Sequence, residues 1–198
     1  MKTLFAALMI FSATAAFAQD TATYKIDTDK TKVSWVGKKV AGPHNGNVKA
    51  KSGSLIISGD KIASGTIIMD MNTITVADLE AGEWNDKLVG HLKHEDFFNV
   101  AKYPEAKLVI KSSEKTSEGL KINGDLTIRG KTEAISFNAK DIKKTDKAYS
   151  AKATIKVDRT KYGVVYNSAG GKTDLVKKLG DKMIFDEFTL DVDLFATK

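Results

Sequence analysis

Hydrophobic residues recur at every second position through most of this chain, and that rhythm constrains the fold more than any other feature. Leu120, Ile122, Gly124, Leu126 and Ile128 fall on one side of an extended segment. Lys121, Asn123, Asp125, Thr127 and Arg129 fall on the other. Ile135, Phe137 and Ala139 alternate with Ser136, Asn138 and Lys140 in the same way. So do Ala151, Ala153, Ile155 and Val157, then Leu190, Val192 and Leu194. Upstream, the same spacing holds for Val33 and Trp35, for Leu55 and Ile57, and for Ile67, Met69 and Met71. A strand points successive side chains to opposite faces, so each run has one dry face and one wet face. Such strands build antiparallel sheet.

Turn residues sit where hairpins need them. Glu118-Gly119, Arg129-Gly130-Lys131 and Ser58-Gly59-Asp60-Lys61 separate consecutive runs. Two stretches break the rhythm. In Asn72 to Pro104, Trp84, Leu88 and Leu92 have helical spacing around Gly90, which predicts one or two short helices in a long crossover. Thr160 to Asp181 reads as a loop with a helical turn near Asp174 to Leu179. About eight strands with one dry face each must pack on a second sheet or close on themselves. Closure removes exposed edges and favours a barrel.

The first residues read as an export address. Lys2 precedes the apolar run Leu4 to Phe11, and Ala16-Phe17-Ala18 is a small-x-small cleavage site. The expected organisation is a signal peptide over residues 1–18 and a single barrel domain over 19–198, placed in the periplasm or secreted. The chain has no cysteine, which excludes thiol catalysis and thiolate metal sites. Its net charge of +6 comes from lysine, with Arg129 and Arg159 the only arginines. Nucleic-acid recognition favours arginine forks and aromatic platforms, so no nucleic-acid partner is expected. A basic exterior favours transient contact with anionic membrane surfaces.

Catalytic signals are missing. His91-Leu92-Lys93-His94-Glu95 offers two imidazoles but lacks the His-Glu-x-x-His order of a zincin, and no third ligand is evident. Tyr166 to Thr173 resembles the end of a phosphate loop but lacks its first glycine. No catalytic residue, cofactor or metal is therefore expected. The dry faces allow two arrangements, a solid core or a wall around one apolar ligand, because small barrels do both. Strands of about nine residues at roughly 3.3 Å each give an interior roughly 30 Å long, which suits a chain.

Three motifs resemble those of the YceI-like family. They are Gly90-His91-Leu92 with Asp96-Phe97-Phe98-Asn99 and Tyr103-Pro104-Glu105-Ala106, then Gly124 to Thr132, then Arg159-Thr160-Lys161-Tyr162-Gly163-Val164. They keep the family's order and cover the chain from about Tyr24 to Phe195. The resemblance implies an all-β fold, an extended eight-stranded antiparallel lipocalin-like barrel. It also implies an exported carrier or reservoir for a polyisoprenoid, an isoprenoid quinone or a similar long apolar lipid. The ligand-facing residues expected are Trp35, Ile67, Met69, Phe97, Phe98, Leu126, Phe137, Ile155, Tyr162, Val164, Leu190 and Val192. A homodimer stays open. The alternatives are a ligand-free envelope protein with a structural or stress role, and an enzyme on such a lipid using His91, His94 or Asp96.

Overall fold

The alternating runs are strands in the computed structural model, which describes residues 21–198. The expected signal peptide lies outside the described residues. The order begins β1 (Thr21–Ile26), β2 (Lys32–Lys39), β3 (Gly42–Ser58) and β4 (Lys61–Asp70). Helix α1 (Glu83–Lys93) precedes β5 (Glu105–Thr116), β6 (Gly119–Ile128), β7 (Lys131–Lys144) and β8 (Ala148–Asp158). Helix α2 (Thr173–Leu179) precedes β9 (Ile184–Thr197).

All pairings are antiparallel, and nine strands make an eight-place barrel. β1 and β2 run one after the other between β3 and β9 and share a single place in the wall. β3 pairs with β4 on its other edge, and β4 to β9 pair in sequence, so the sheet closes. Between β1 and β2 the chain loops out, and a side chain takes over the backbone's role. The Thr31 hydroxyl donates to the Phe195 carbonyl at 3.0 Å and accepts from the Phe195 N–H at 3.1 Å. This buried hydroxyl keeps the ladder satisfied across the break.

Bulges in several strands reset which residues face inward, as β3 and β5 show. Ala50 pairs with Met69 and Ser52 with Ile68, so Lys51 is an extra residue in β3. Val48 and Ala50 are buried before it, and Leu55 and Ile57 after it, one step out of phase. Lys111 does the same in β5, between Ile110 and Ser113. Ser113 is then buried and accepts the Ile62 N–H at 2.9 Å. Gly124 stands opposite this second bulge, where a Cβ would lie 2.4 Å from the Val109 carbonyl oxygen. The missing side chain lets the two strands coil closely, as a barrel corner requires.

The two irregular stretches join neighbouring strands, β4 to β5 and β8 to β9, so each is an excursion over the same end of the barrel. The first carries one α-helix after a single 3-10 turn at Met71–Thr73, and Gly90 sits within the α-helix without breaking it. Leu92 is buried and Leu88 packs on the core, but Trp84 is 73% exposed. The Lys87 ammonium lies 4.8 Å from the centre of the Trp84 ring and 2.6 Å from Glu83. Helix α2 buries none of its residues. The opposite end has only short hairpins.

Candidate functional site

The inward faces do not fill the barrel. An elongated cavity of about 200 Å³ runs along its axis, larger than packing voids in ordinary cores. Its wall is apolar at almost every position. Of the sequence-predicted residues, Trp35, Ile67, Met69, Phe97, Phe98 and Leu126 line it. Phe137, Ile155, Leu190 and Val192 line it as well. Tyr162 and Val164 do not: both are buried in or just after the turn Arg159–Tyr162, behind the wall.

The cavity separates two hydrophobic clusters. One, beneath the excursions, gathers Trp35, Phe97, Phe98, Leu126 and Ile155. The other, toward the hairpin end, gathers Leu55, Ile57, Ile122 and Tyr149. Met69, Leu108, Phe137 and Val192 touch both and are only half-buried. Strands β4, β5, β7 and β9 each supply one of them, forming a belt whose remaining exposure faces the hollow. The hairpin end is shut. Tyr24 packs against Tyr149 with ring centres 6.0 Å apart and donates to the Thr145 carbonyl at 2.9 Å in the β7–β8 hairpin. Burial pushes the Tyr149 hydroxyl up to about 12, and that hydroxyl has no hydrogen-bond partner among the described residues.

The other end opens into a vestibule of about 430 Å³. The two spaces share Trp35, Gly37, Leu92, Phe97 and Ile184 in their walls. Lys38, Lys39, His44, Asp181 and Lys182 make the outer part polar. His91 stands at the junction with its ring edge-on to Phe97 and Tyr166, centroids 5.5 and 4.5 Å away. Burial lowers its pKa, with His94 adding to the effect and Asp96 opposing it. Burial therefore favours the neutral imidazole. His94 turns away to Asp96 at 3.1 Å, with both side chains about half exposed. Among the described residues, no group of three or more His, Asp or Glu side chains is placed to hold a metal ion.

Arginines hold the mouth together. Arg159 is 2% exposed and lines the cavity. It donates to the carbonyls of Phe185 at 3.1 Å, Val164 at 2.8 Å and Ile184 at 2.9 Å. Its guanidinium lies 5.7 Å from the Phe97 ring centre and 3.6 Å from Asp186. Arg129 donates to the Gly163 carbonyl and, at 2.8 Å, to the Glu95 carbonyl, tying one excursion to the other. Both arginines belong to motifs visible in the sequence, but their role as carbonyl clamps is not. Sequence reasoning also missed Leu92, Leu108, Ile184 and Phe188 in the wall. Phe188 keeps the spacing of Leu190 and Val192, so the alternation extended by one step finds it.

The YceI-like domain family model matches residues 24–196. Protein YceI of Escherichia coli O17:K52:H18 is 33% identical over 154 residues, covering 75% of this chain and 74% of that protein. A relative in Pseudomonas putida (strain W619) is 33% identical over 150 residues, 70% of this chain and 72% of that one. Among solved structures, Burkholderia cenocepacia BcnA superposes with a TM-score of 0.63 at 20% identity, covering 87% of this chain and 99% of that one. A polyisoprenoid binding domain from Saccharophagus degradans superposes with a TM-score of 0.59 at 13% identity, covering 88% and 97%. These likenesses show the fold.

Proposed function

Since the chain belongs to the YceI-like domain family, we propose that its barrel holds a polyisoprenoid or a similar long apolar lipid. The observation that carries this reading is the axial cavity, hollow and apolar, shut at one end and open at the other. The Saccharophagus degradans neighbour, described as a polyisoprenoid binding domain, supports the cargo class. An isoprenoid quinone fits the same description, with its ring in the vestibule and its tail in the tunnel. The protein acts as a carrier or reservoir rather than a sink. Each buried methylene gains about 0.8 kcal/mol against water, but a tail drawn from a bilayer is already dry, so exchange is near balanced. The export-like pattern of residues 1–18 supports a site of work outside the cytoplasm, and protein recovered from that compartment should then begin at Gln19.

Two tryptophans make the test direct. Trp35 lines the tunnel and Trp84 is exposed. In a Trp84→Phe background, titration with decyl-ubiquinone should quench Trp35 fluorescence to saturation at one quinone per chain. Geranylgeraniol should compete the quinone out. Quenching that never saturates, or that geranylgeraniol leaves unchanged, would contradict the reading.

A further inference from the structure

Exposed apolar side chains are concentrated at the mouth. Among the described residues, the exposed large hydrophobics are Val40, Trp84, Val165, Tyr166, Val176, Phe185 and Ile56. All but Ile56 lie on the connections or strand ends at the open end of the barrel. Soluble proteins seldom cluster such residues without a partner for them. Helix α2 is the clearest case, since it buries no residue and leaves Val176 40% exposed.

Charge identifies the partner. The mouth has two electrostatic sides. Around α1 the acids Glu80, Glu83, Asp86, Glu95 and Asp96 outweigh Lys87 and Lys93. Around α2, Lys172, Lys177, Lys178 and Lys182 outweigh Asp174 and Asp181, the β2–β3 hairpin adds Lys38 and Lys39, and the start of β9 carries Asp186, 3.6 Å from Arg159, and Glu187, so lysine still leads. The basic side also carries Val40, Val165, Tyr166, Val176 and Phe185. Apolar tips within a ring of lysines match a bilayer surface bearing anionic headgroups. The apolar tips enter the interface, Tyr166 sits at headgroup level, and each lysine near the surface adds about a fivefold gain in binding.

We propose that α2, the β2–β3 hairpin and the start of β9 form a docking face for anionic lipid membranes, which sets the tunnel mouth against the bilayer. This inference rests on the cargo reading for its purpose, since it places the open end where a lipid leaves or enters. The wall of the barrel and the closed hairpin end stay in water.

The test is flotation of the full mature chain with vesicles of phosphatidylcholine alone and of phosphatidylcholine mixed with phosphatidylglycerol. Binding is expected only to the anionic vesicles and should weaken as salt rises. The double variant Lys177→Glu/Lys178→Glu should lose about tenfold or more in affinity, and Val176→Asp severalfold. Lys115→Glu/Lys147→Glu, at the hairpins of the closed end, should bind as wild type does. Absence of vesicle binding, equal loss in the closed-end variant, or retention only by envelope fractions containing protein would overturn the proposal. Trp35 quenching by decyl-ubiquinone, measured on the same samples, separates the two readings. Cargo uptake without vesicle binding sinks the docking face alone, and vesicle binding without cargo uptake sinks the cargo reading.

Discussion

At the scale of single residues, space and protons set the terms. A Cβ on Gly46 would lie 1.8 Å from the Thr75 carbonyl oxygen and 2.9 Å from the Trp35 ring. Thr75 and Ala77 donate to the carbonyls of Asn47 and Asn45, extending the wall beside β3 above the end of β4. Gly46→Ala must push that segment outward and should cost about 2–3 kcal/mol in urea unfolding. Tyr149 is the opposite case. Its hydroxyl is buried without a partner among the described residues, so Tyr149→Phe should leave the empty barrel as stable or slightly more stable. His91 sets a pH dependence. Burial holds its pKa below the ordinary 6.5, so the folded chain binds this proton more weakly than the unfolded one. Its contribution to stability is whole above about pH 6.5 and is lost as pH falls through the lowered value. His91→Gln should flatten the part of the stability curve just below about pH 6.5, read from urea midpoints. An unchanged slope would assign the dependence to another group.

At the scale of elements, the alternation in the sequence located the strands because period two is a direct image of one dry face. Runs such as Leu120 to Ile128 and Ala151 to Val157 lie where the pattern put them. The hairpin residues did likewise at Gly59, Gly119 and Gly130. The bulges at Lys51 and Lys111 left no such mark, because alternation stops and resumes one residue out of phase through exposed lysines and serines. Helix α1 was legible in outline, yet Trp84 faces outward with Lys87 across its ring, so spacing alone misjudged its face. Tyr162 and Val164 lie in the Arg159-to-Val164 motif, but motif order says nothing of which side of a turn meets the cavity. The carbonyl clamp of Arg159 was invisible for the same reason, since its acceptors at Ile184 and Phe185 are far along the chain. Arg159→Ala leaves the buried Val164 carbonyl and the part-buried Ile184 and Phe185 carbonyls without this donor and should cost about 3 kcal/mol. Arg159→Lys cannot reproduce three divergent N–H bonds and should recover only part of that loss. Cargo should also leave faster from either variant, as stopped-flow release would report.

At the scale of the whole molecule, two hydrophobic clusters stabilise the barrel and the space between them is left open. That division explains why Met69, Leu108, Phe137 and Val192 are half-buried although they face inward. A sequence cannot show it, because a dry face reads the same whether it meets another side chain or a cavity. Filling the space should separate stability from function. Ala153→Phe adds a ring inside the wall of β8, where the hollow receives it at a cost of about 1–3 kcal/mol, and should leave the chain folded while blocking uptake of apolar cargo. If the variant folds and still binds decyl-ubiquinone as wild type does, the cargo lies elsewhere.

The most direct measurement is native mass spectrometry of the protein taken from its own compartment, followed by solvent extraction and mass analysis of what is released. A loaded barrel should release one long apolar chain, displaced by geranylgeraniol and absent from Ala153→Phe. A bare protein mass, unchanged after exposure to quinones, prenols and fatty acids, would contradict the cargo reading.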